Sequence, residues 1–267
     1  MSTWTVIGWC GVAIGSLMFA SWLLSLPLRN ASIVDIVWGL GFVVVGWTAW
    51  VVTDTHGDRS TVLVTMVTIW GLRLAGYLLW RNHGKGEDFR YVAMRRSIGP
   101  RFWLVSLFSV FGLQGVLLMT VSLPLSVGIA HGARPLGPIG YVGLALFAVG
   151  LFFETVGDAQ LARFKADPAN SGLVMDRGLW NYTRHPNYFG DFCVWWAIFA
   201  VTIGSGPWIW TVIGPAVMTV LLLRVSGVAL LEKSIGRRRP GYAEYVARTS
   251  AFFPRPPRRQ PTAPGGA

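Results

Sequence analysis

The sequence has little charge and little cysteine, and these shortages exclude several classes of protein. Charged residues make up 13% of the 267 residues, whereas hydrophobic residues make up 53% and the mean hydropathy is +0.50. This composition excludes an ordinary soluble domain. The two cysteines do not form a disulfide framework, and with four scattered histidines they do not complete a zinc site. A GxGxxG fingerprint and a P-loop are also missing, so the usual soluble nucleotide-binding folds are excluded.

Seven apolar runs are present instead, each close to the roughly 20 residues that a membrane helix needs. They cover residues 4–26, 33–53, 61–80, 102–123, 138–161, 188–205 and 208–231. The sequence therefore predicts an all-α, polytopic membrane protein with seven transmembrane helices. Residues 1–253 would form a single membrane domain, and the proline-rich tail 254–267 would be disordered.

The distribution of positive charge predicts the orientation of these helices. With the C-terminus in the cytoplasm, the cytoplasmic loops and tail carry 19 Lys and Arg residues, and the opposite loops carry two. Such a bias is typical of cytoplasmic loops, so we expect the N-terminus outside and the C-terminus inside. It also accounts for the net charge of +11 without nucleic acid as a partner. No internal repeat is found, which disfavours a transporter built from duplicated halves.

Ionisable residues inside the predicted spans are functional candidates because their burial is expensive. They are Arg73, Glu154, Asp158, Asp191 and Arg224, with Asp35 near the entrance of the second span. One interpretation is a set of ion pairs between helices. The other is a polar cavity open to the cytoplasm, because most of these residues lie toward that side.

Cations in the cytoplasmic loops would form the rim of such a cavity. They are Arg81, Lys85, Arg90, Lys165, Arg177, Arg184 and Arg248. Arginine and lysine bind phosphates through charge-assisted hydrogen bonds, so a dinucleotide would fit. An anionic lipid head group would suit the rim nearly as well.

Four stretches together resemble the bacterial DUF1295 proteins, which belong to the steroid 5-alpha-reductase-like membrane reductases. They are VDIVWGLGF, WGLRLAGYLLWRNHGKGEDFRYVAMR, GLWNYTRHPNYFGDFCVWW and LLEKSIGRRRPGYAEYVARTSAFFP. The resemblance covers nearly the whole chain beyond the first helix, and its C-terminal part is about 138–253. It implies a seven-helix enzyme of the bacterial inner membrane. Such an enzyme would use NADPH from the cytoplasmic side to reduce an activated carbon–carbon double bond in a lipid-like substrate.

The resemblance also implies which residues hold the cofactor. Asn187, Asp191 and Trp195 match a cofactor-binding face, Asp158 matches a cofactor-binding Asp, and Gln114-Gly115 matches a shared pair. With five of the seven rim cations, the predicted cofactor site comprises Arg73, Arg81, Arg90, Glu154, Asp158, Lys165, Tyr182, Arg184, His185, Asn187, Tyr188, Asp191, Trp195, Arg224, Tyr242, Tyr245 and Arg248.

The catalytic positions depart from the family pattern. A Tyr on the third helix polarises the substrate carbonyl in the steroid reductases, and the matching position here is Trp70. A Glu on the second helix assists that Tyr, and Asp35 is the stand-in for it. Because a carboxyl group in an apolar pocket stays protonated and donates a hydrogen bond, we assign Asp35, with Trp38 one turn away, to the catalytic site.

Two alternatives from other classes stay open. The RHPxYxG pattern and the acidic LLEK segment also occur in membrane methyltransferases related to isoprenylcysteine carboxyl methyltransferase, which use S-adenosylmethionine. The buried charges could also form the substrate path of a non-enzymatic lipid-binding or transport protein.

Overall fold

The computed structural model describes residues 1–54, 56–225 and 240–258, and all regular structure within these ranges is helical. The helices are α1 (Thr3–Leu28), α2 (Ile33–Val52), α3 (Asp58–Asn82), α4 (Phe89–Ile98), α5 (Phe102–Ser106), α6 (Leu113–Val121), α7 (Leu123–Ala130), α8 (Gly137–Ala166), α9 (Pro186–Ile203), α10 (Ile213–Val220) and α11 (Tyr242–Arg248). An isolated bridge between Thr183 and Ser250 is the one pairing of extended backbone there.

Five helical segments are long and apolar enough to cross a membrane. They are Thr3–Leu28, Ile33–Val52, Asp58–Asn82, Phe89–Val121 and Gly137–Ala166. These segments confirm the all-helical fold and the first five predicted spans. The fourth begins at Phe89 and not at 102, because Asp88 caps a helix inside the stretch that the sequence predicted as a loop.

The sixth and seventh predicted spans are not among these five. Helix α9 has 18 residues, and Asn187, Asp191 and two tryptophans lower its hydropathy. The apolar helical segment Ile209–Val225 is shorter, and the rest of the seventh predicted span lies outside the described residues. The count of seven and the orientation of the termini therefore stay predictions.

The chain forms two compact units, and the first consists of residues 1–143 and 198–217. Its core contains fully buried side chains from α2, α3, α6 and α7, namely Phe42, Leu63, Trp70, Leu118, Leu125 and Ile129. Helices α2 and α3 approach closely where both have a glycine. A Cβ on Gly39 would lie only 2.7 Å from the carbonyl oxygen of Gly71, so a side chain there would force the helices apart. Helix α7 is almost wholly buried, although the sequence predicted a loop there.

Among the described residues of this first unit, one charged side chain is fully buried. Arg59 was counted among the loop cations, but it lies in the first turn of α3 with 1% of its surface exposed. Its guanidinium donates to the carbonyl oxygens of Val201, Pro135 and Leu136. These bonds compensate for the burial of its charge.

The second unit consists of residues 144–197 and the described residues from 218 onwards. Its centre is the crossing of α8 and α9. A Cβ on Gly190 would lie 2.5 Å from the carbonyl oxygen of Gly150, and a Cβ on Gly157 would lie 3.1 Å from Cγ of Pro186. Small residues at a crossing let two backbones approach closely, and here they bring the polar face of α9 against α8.

The start of the predicted disordered tail is hydrogen-bonded. The amide of Arg255 donates to the carbonyl oxygen of Tyr182 at 3.0 Å, and the amide of Arg258 donates to that of Arg248 at 2.9 Å. Residues 259–267 lie outside the described residues, so the disorder of the tail stays a prediction.

Candidate functional site

Four side chains of the first unit form a connected polar group, here called the Asp35 cluster: Asp35, Arg90, Tyr91 and Gln114. Arg90 Nη2 donates to Asp35 Oδ2 at 2.6 Å, and the Tyr91 hydroxyl lies 2.9 Å from Asp35 Oδ1. The Gln114 amide lies 3.2 Å from the same hydroxyl. Both oxygens of Asp35 accept hydrogen bonds, so Asp35 acts as an acceptor in this arrangement and not as the donor that was predicted. The Tyr91 hydroxyl is the donor to Asp35 Oδ1, and it accepts a hydrogen bond from the Gln114 amide.

The sequence did not single out Tyr91. The resemblance predicted a Tyr on the third helix, where Trp70 is fully buried against Phe42, with ring centroids 5.6 Å apart. A tyrosine hydroxyl, that of Tyr91, lies instead on α4. This helix falls in the basic stretch 81–101, which the sequence predicted as a loop. The EDFRY sequence carried the available signal, since an Asp before a short apolar run is a helix N-cap.

Glu87 holds α4 beside α2 through a hydrogen bond and an ion pair. Glu87 accepts the amide of Ala31 at 2.7 Å and forms a two-bond ion pair with Arg95. Burial raises the pKa of Glu87, but the hydrogen bonds from Arg95 and from the Ala31 amide outweigh it, so that pKa lies below its ordinary value. Burial likewise raises the pKa of Asp88, and the bonds from Arg90 lower it further than burial raises it. Both carboxylates are therefore ionised near neutral pH and anchor the two arginines.

A second polar group lies in the second unit, at the crossing of α8 and α9. Glu154 and Asp158 lie one turn apart on α8, and both are buried. The Asn187 side-chain amide donates to Asp158 Oδ1 at 3.3 Å, and Asp191 lies one turn further along α9. The structure thus brings these four predicted cofactor residues to one crossing.

Two arginines that were predicted to contact phosphate form bonds within the protein. Arg184 Nη1 donates to the carbonyl oxygen of Thr249 at 2.7 Å, and its backbone amide donates to that of Ser250 at 2.9 Å. Arg248 forms an ion pair with Asp176. These contacts attach the C-terminal segment to the loop before α9, and a contact of either arginine to a phosphate stays a prediction.

Aromatic residues complete this attachment. The Tyr245 hydroxyl donates to the carbonyl oxygen of Trp180 at 2.5 Å, and the Trp180 indole donates to that of Gly157 at 3.0 Å. Burial raises the pKa of Tyr245, so its hydroxyl stays protonated and keeps this bond. His185 is buried and stacks in parallel on Tyr188, with ring centroids 5.5 Å apart. Tyr242 is also buried, in the first turn of α11.

A cavity of about 330 Å³ lies in the second unit beside the C-terminal end of α8. Its lining includes Arg163, which the sequence did not single out, and Arg177, which was predicted as a rim cation. Gln160 and Asp167 also line it. The cavity offers two guanidinium groups to an anionic ligand.

The other predicted residues lie elsewhere. Trp38 packs edge-on against Phe42 at 5.2 Å, and the guanidinium groups of Arg73 and Arg81 each lie 5.8 Å from the Tyr77 ring. Trp195 is fully buried in α9. Tyr182, Lys165 and Arg224 are exposed. Across the described ranges, no group of three or more potential ligands could hold a metal ion.

Comparisons with known proteins give one family and one partial relative. Residues 21–249 match the model of a family described as "Protein of unknown function (DUF1295)". A stretch of 76 residues is 36% identical to the probable O-methyltransferase ustE of Ustilaginoidea virens, and it covers 28% of this chain. The chain spans about a quarter of that relative's length, with 26% covered. No solved structure matches the chain.

Proposed function

Since the chain belongs to the DUF1295 family, we propose that it is a membrane-embedded reductase acting with NADPH on a conjugated carbon–carbon double bond. The substrate class is a lipid-like or steroid-like molecule that carries a carbonyl group next to that bond. The observation that carries this proposal is the Asp35 cluster, which holds a tyrosine hydroxyl between a carboxylate and an amide.

The chemistry of conjugate reduction explains why such a cluster is needed. NADPH, when bound, would supply a hydride to the far carbon of the double bond, and a proton from water would complete the reduction at the near carbon. Negative charge develops on the carbonyl oxygen after hydride transfer, and a fixed donor aimed at that oxygen lowers the barrier. In our proposal Tyr91 is that donor. Its hydroxyl, which donates to Asp35 Oδ1 in this structure, turns to the carbonyl oxygen when substrate binds, while the Gln114 amide still donates to the hydroxyl oxygen. Methyl transfer to an oxygen nucleophile removes negative charge, so it has no use for this donor.

The polar residues of the second unit fit parts of the proposed cofactor. The Asn187 amide and the Asp158 carboxylate offer a donor and an acceptor to a carboxamide group such as that of nicotinamide. Arg163 and Arg177 offer charge-assisted hydrogen bonds to a phosphate. The cytoplasmic location of this site belongs to the same proposal and depends on the bias of positive charge between the loops.

A methyltransferase that uses S-adenosylmethionine is the second candidate. The partial relative favours it, because its name is that of an O-methyltransferase. The buried carboxylates of Glu154 and Asp158 also favour it, since they could accept hydrogen bonds from the amino and ribose hydroxyl groups of that cofactor.

Thermal unfolding of the purified protein in detergent separates the candidates. A ligand that binds the native state raises stability, by about 2.7 kcal/mol at a concentration of one hundred times Kd. We expect NADPH and NADP⁺ to raise Tm and S-adenosylmethionine to leave it unchanged. Asp158→Asn should weaken the NADPH effect, whereas Glu244→Gln, which removes an exposed carboxylate of the same unit, should not. A shift with S-adenosylmethionine alone, or with none of the ligands, contradicts the reductase.

A further inference from the structure

Besides the cavity of the second unit, the first unit contains a cavity of its own, which neither proposed cofactor uses. It has a volume of about 670 Å³ and lies between the C-terminal end of α1 and the segment that joins α4 to α5. The lining combines two cations with apolar and hydroxyl groups, chiefly Ser25, Leu26, Arg29, Arg95, Phe102 and Trp103. A lining of this kind suits a ligand with an anionic part and an apolar part.

Arg95 is held in position before any ligand arrives. Its Nε and Nη2 donate to the two oxygens of Glu87 at 2.9 and 2.8 Å, and its guanidinium lies 4.4 Å from the Phe102 ring centroid. Its Nη1 makes no hydrogen bond within the described part of the chain. A planar guanidinium fixed on two sides loses little freedom when its remaining nitrogen binds a phosphate oxygen.

Arg29 takes an unusual backbone conformation to reach the same cavity. With φ 48° it is the non-glycine residue with positive φ within the described residues, and it directly follows the end of α1. Glycine or asparagine is favoured at this position of a helix. The arginine at this position lines the cavity and brings a cation to the C-terminal end of α1. Together with Glu87, Arg29 and Arg95 give the cavity a net charge of one positive unit, which matches one phosphodiester.

The cavity is continuous with surface that suits lipid tails. Trp103, Leu104 and Phe108 are exposed on the segment that begins at the cavity, and Leu24 and Leu28 are exposed on α1. The indole of Trp22 donates to the carbonyl oxygen of Trp103 at 2.8 Å, and the two rings stack. Tryptophan is enriched where a membrane helix meets the head groups of lipids. The two cations therefore lie near the ends of two apolar helical segments, where we expect lipid head groups.

We propose that this cavity binds one anionic phospholipid of the surrounding bilayer, with its phosphodiester between Arg29 and Arg95 and its acyl chains along the exposed apolar residues of α1 and α5. Neither arginine belongs to the Asp35 cluster, although the ion pair of Arg95 with Glu87 also holds α4, which carries Tyr91. Its occupant links the end of α1 to α4 and stabilises the first unit.

Lipid-dependent thermal unfolding in detergent tests the proposal. Phosphatidylglycerol should raise Tm more than phosphatidylcholine does, and glycerol phosphate and inorganic phosphate should raise it little. Arg29→Gln should weaken the apparent affinity for phosphatidylglycerol about five-fold, since each cation near an anionic lipid contributes that much. Arg101→Gln is the matched control, because Arg101 is exposed nearby and does not line the cavity.

A second variant and a second measurement keep the test decisive. Arg95→Gln should have an effect like that of Arg29→Gln. If it does not fold, native mass spectrometry of wild type and Arg29→Gln from mixed nanodiscs still compares the lipid retained. Equal effects of the two phospholipids, an equal loss with Arg101→Gln, or full stabilisation by glycerol phosphate or inorganic phosphate alone overturns the proposal.

Discussion

The Tyr91 hydroxyl is the single group on which the proposed chemistry depends most. Removing one donor to a developing oxyanion lowers turnover by about 100-fold or more. We therefore expect Tyr91→Phe to lower kcat by about 100-fold on a conjugated enone substrate, while the Kd of NADPH changes little. Tyr141→Phe is the matched control, because Tyr141 is exposed on α8. A Tyr91→Phe variant with wild-type kcat would assign the donor role elsewhere.

Asp35 acts through Tyr91 and is a positioning residue. Asp35→Asn keeps the shape but removes the charge that binds Arg90 at 2.6 Å. We expect a smaller loss of kcat than for Tyr91→Phe, because the tyrosine hydroxyl is kept and only its positioning is weakened. If Asp35→Asn and Asp35→Ala both keep full turnover with cofactor binding intact, Asp35 has no part in the site.

His131 makes the stability of the first unit depend on pH. Its Nε2 lies 2.8 Å from the Thr3 hydroxyl, and its ring stacks on Trp208 at 4.3 Å. Burial, and then the charge of Arg134, lower its pKa below the ordinary value of 6.5. The folded state thus prefers the neutral ring, so this contribution is complete above pH 6.5 and is lost as the pH falls through the folded pKa.

We expect Tm to fall as the pH is lowered below that value, and His131→Gln to remove part of the fall. Thermal unfolding between about pH 5 and pH 8 measures the effect. His83→Gln replaces an exposed histidine of the same unit and is the control. Identical pH profiles for wild type and His131→Gln would contradict the assignment.

At the scale of elements, the crossing of α8 and α9 depends on two glycines. A Cβ on Gly190 would lie 2.5 Å from the Gly150 carbonyl oxygen and 2.7 Å from the Glu154 backbone nitrogen, so the helices must separate. We expect Gly190→Ala to lower the free energy of unfolding by about 1–3 kcal/mol, because overpacking forces the backbone to shift. It should also weaken the NADPH effect on Tm, because the crossing holds Asp158 and Asn187 together.

Gly8→Ala is the control for this substitution. A Cβ on Gly8 would meet nothing within 4 Å on α1, and alanine is the better helix former. Gly8→Ala should therefore be neutral or slightly stabilising. Equal Tm values for Gly190→Ala and wild type would mean that the crossing tolerates a wider separation.

Some elements could be read from the sequence and others could not. Long apolar runs determine the first five membrane segments, because composition alone decides them. Helices α4 and α7 were missed for opposite reasons. Helix α4 is short and basic, and its stability comes from the Asp88 cap and from the ion pair between Glu87 and Arg95. Helix α7 is buried by residues that are distant in the sequence, so its own sequence does not predict it.

The candidate site was predictable in the same uneven way. The polar face at Asn187 and Asp191 follows from helical spacing, and its partner at Asp158 follows from an ionisable residue in an apolar span. Tyr91 and Arg163 could not be found from the sequence, because each depends on a contact or cavity formed by distant residues. The contacts of Arg184 with the C-terminal segment join residues 65 positions apart, and no local pattern indicates them.

At the scale of the whole molecule, the predicted orientation can be tested with single cysteines. Both native thiols are buried and free, so they should react slowly with an impermeant maleimide. We expect Ala133→Cys to be labelled in intact cells, and Lys85→Cys only after the membrane is opened, because the cations of loop 81–101 favour the cytoplasm. The reverse pattern would invert the orientation and place the proposed cofactor site outside.

The hydrogen bonds of Arg59 cannot all form until most of the chain has been synthesised. Its acceptor at Val201 is 142 residues later in the chain, so translation at about 5–20 residues per second leaves an interval of about 7–30 s between the two. During that time the Arg59 guanidinium lacks one of its three carbonyl acceptors. A chain that stops before residue 201 lacks that acceptor, so quality control should remove early truncations more readily than losses of the last residues.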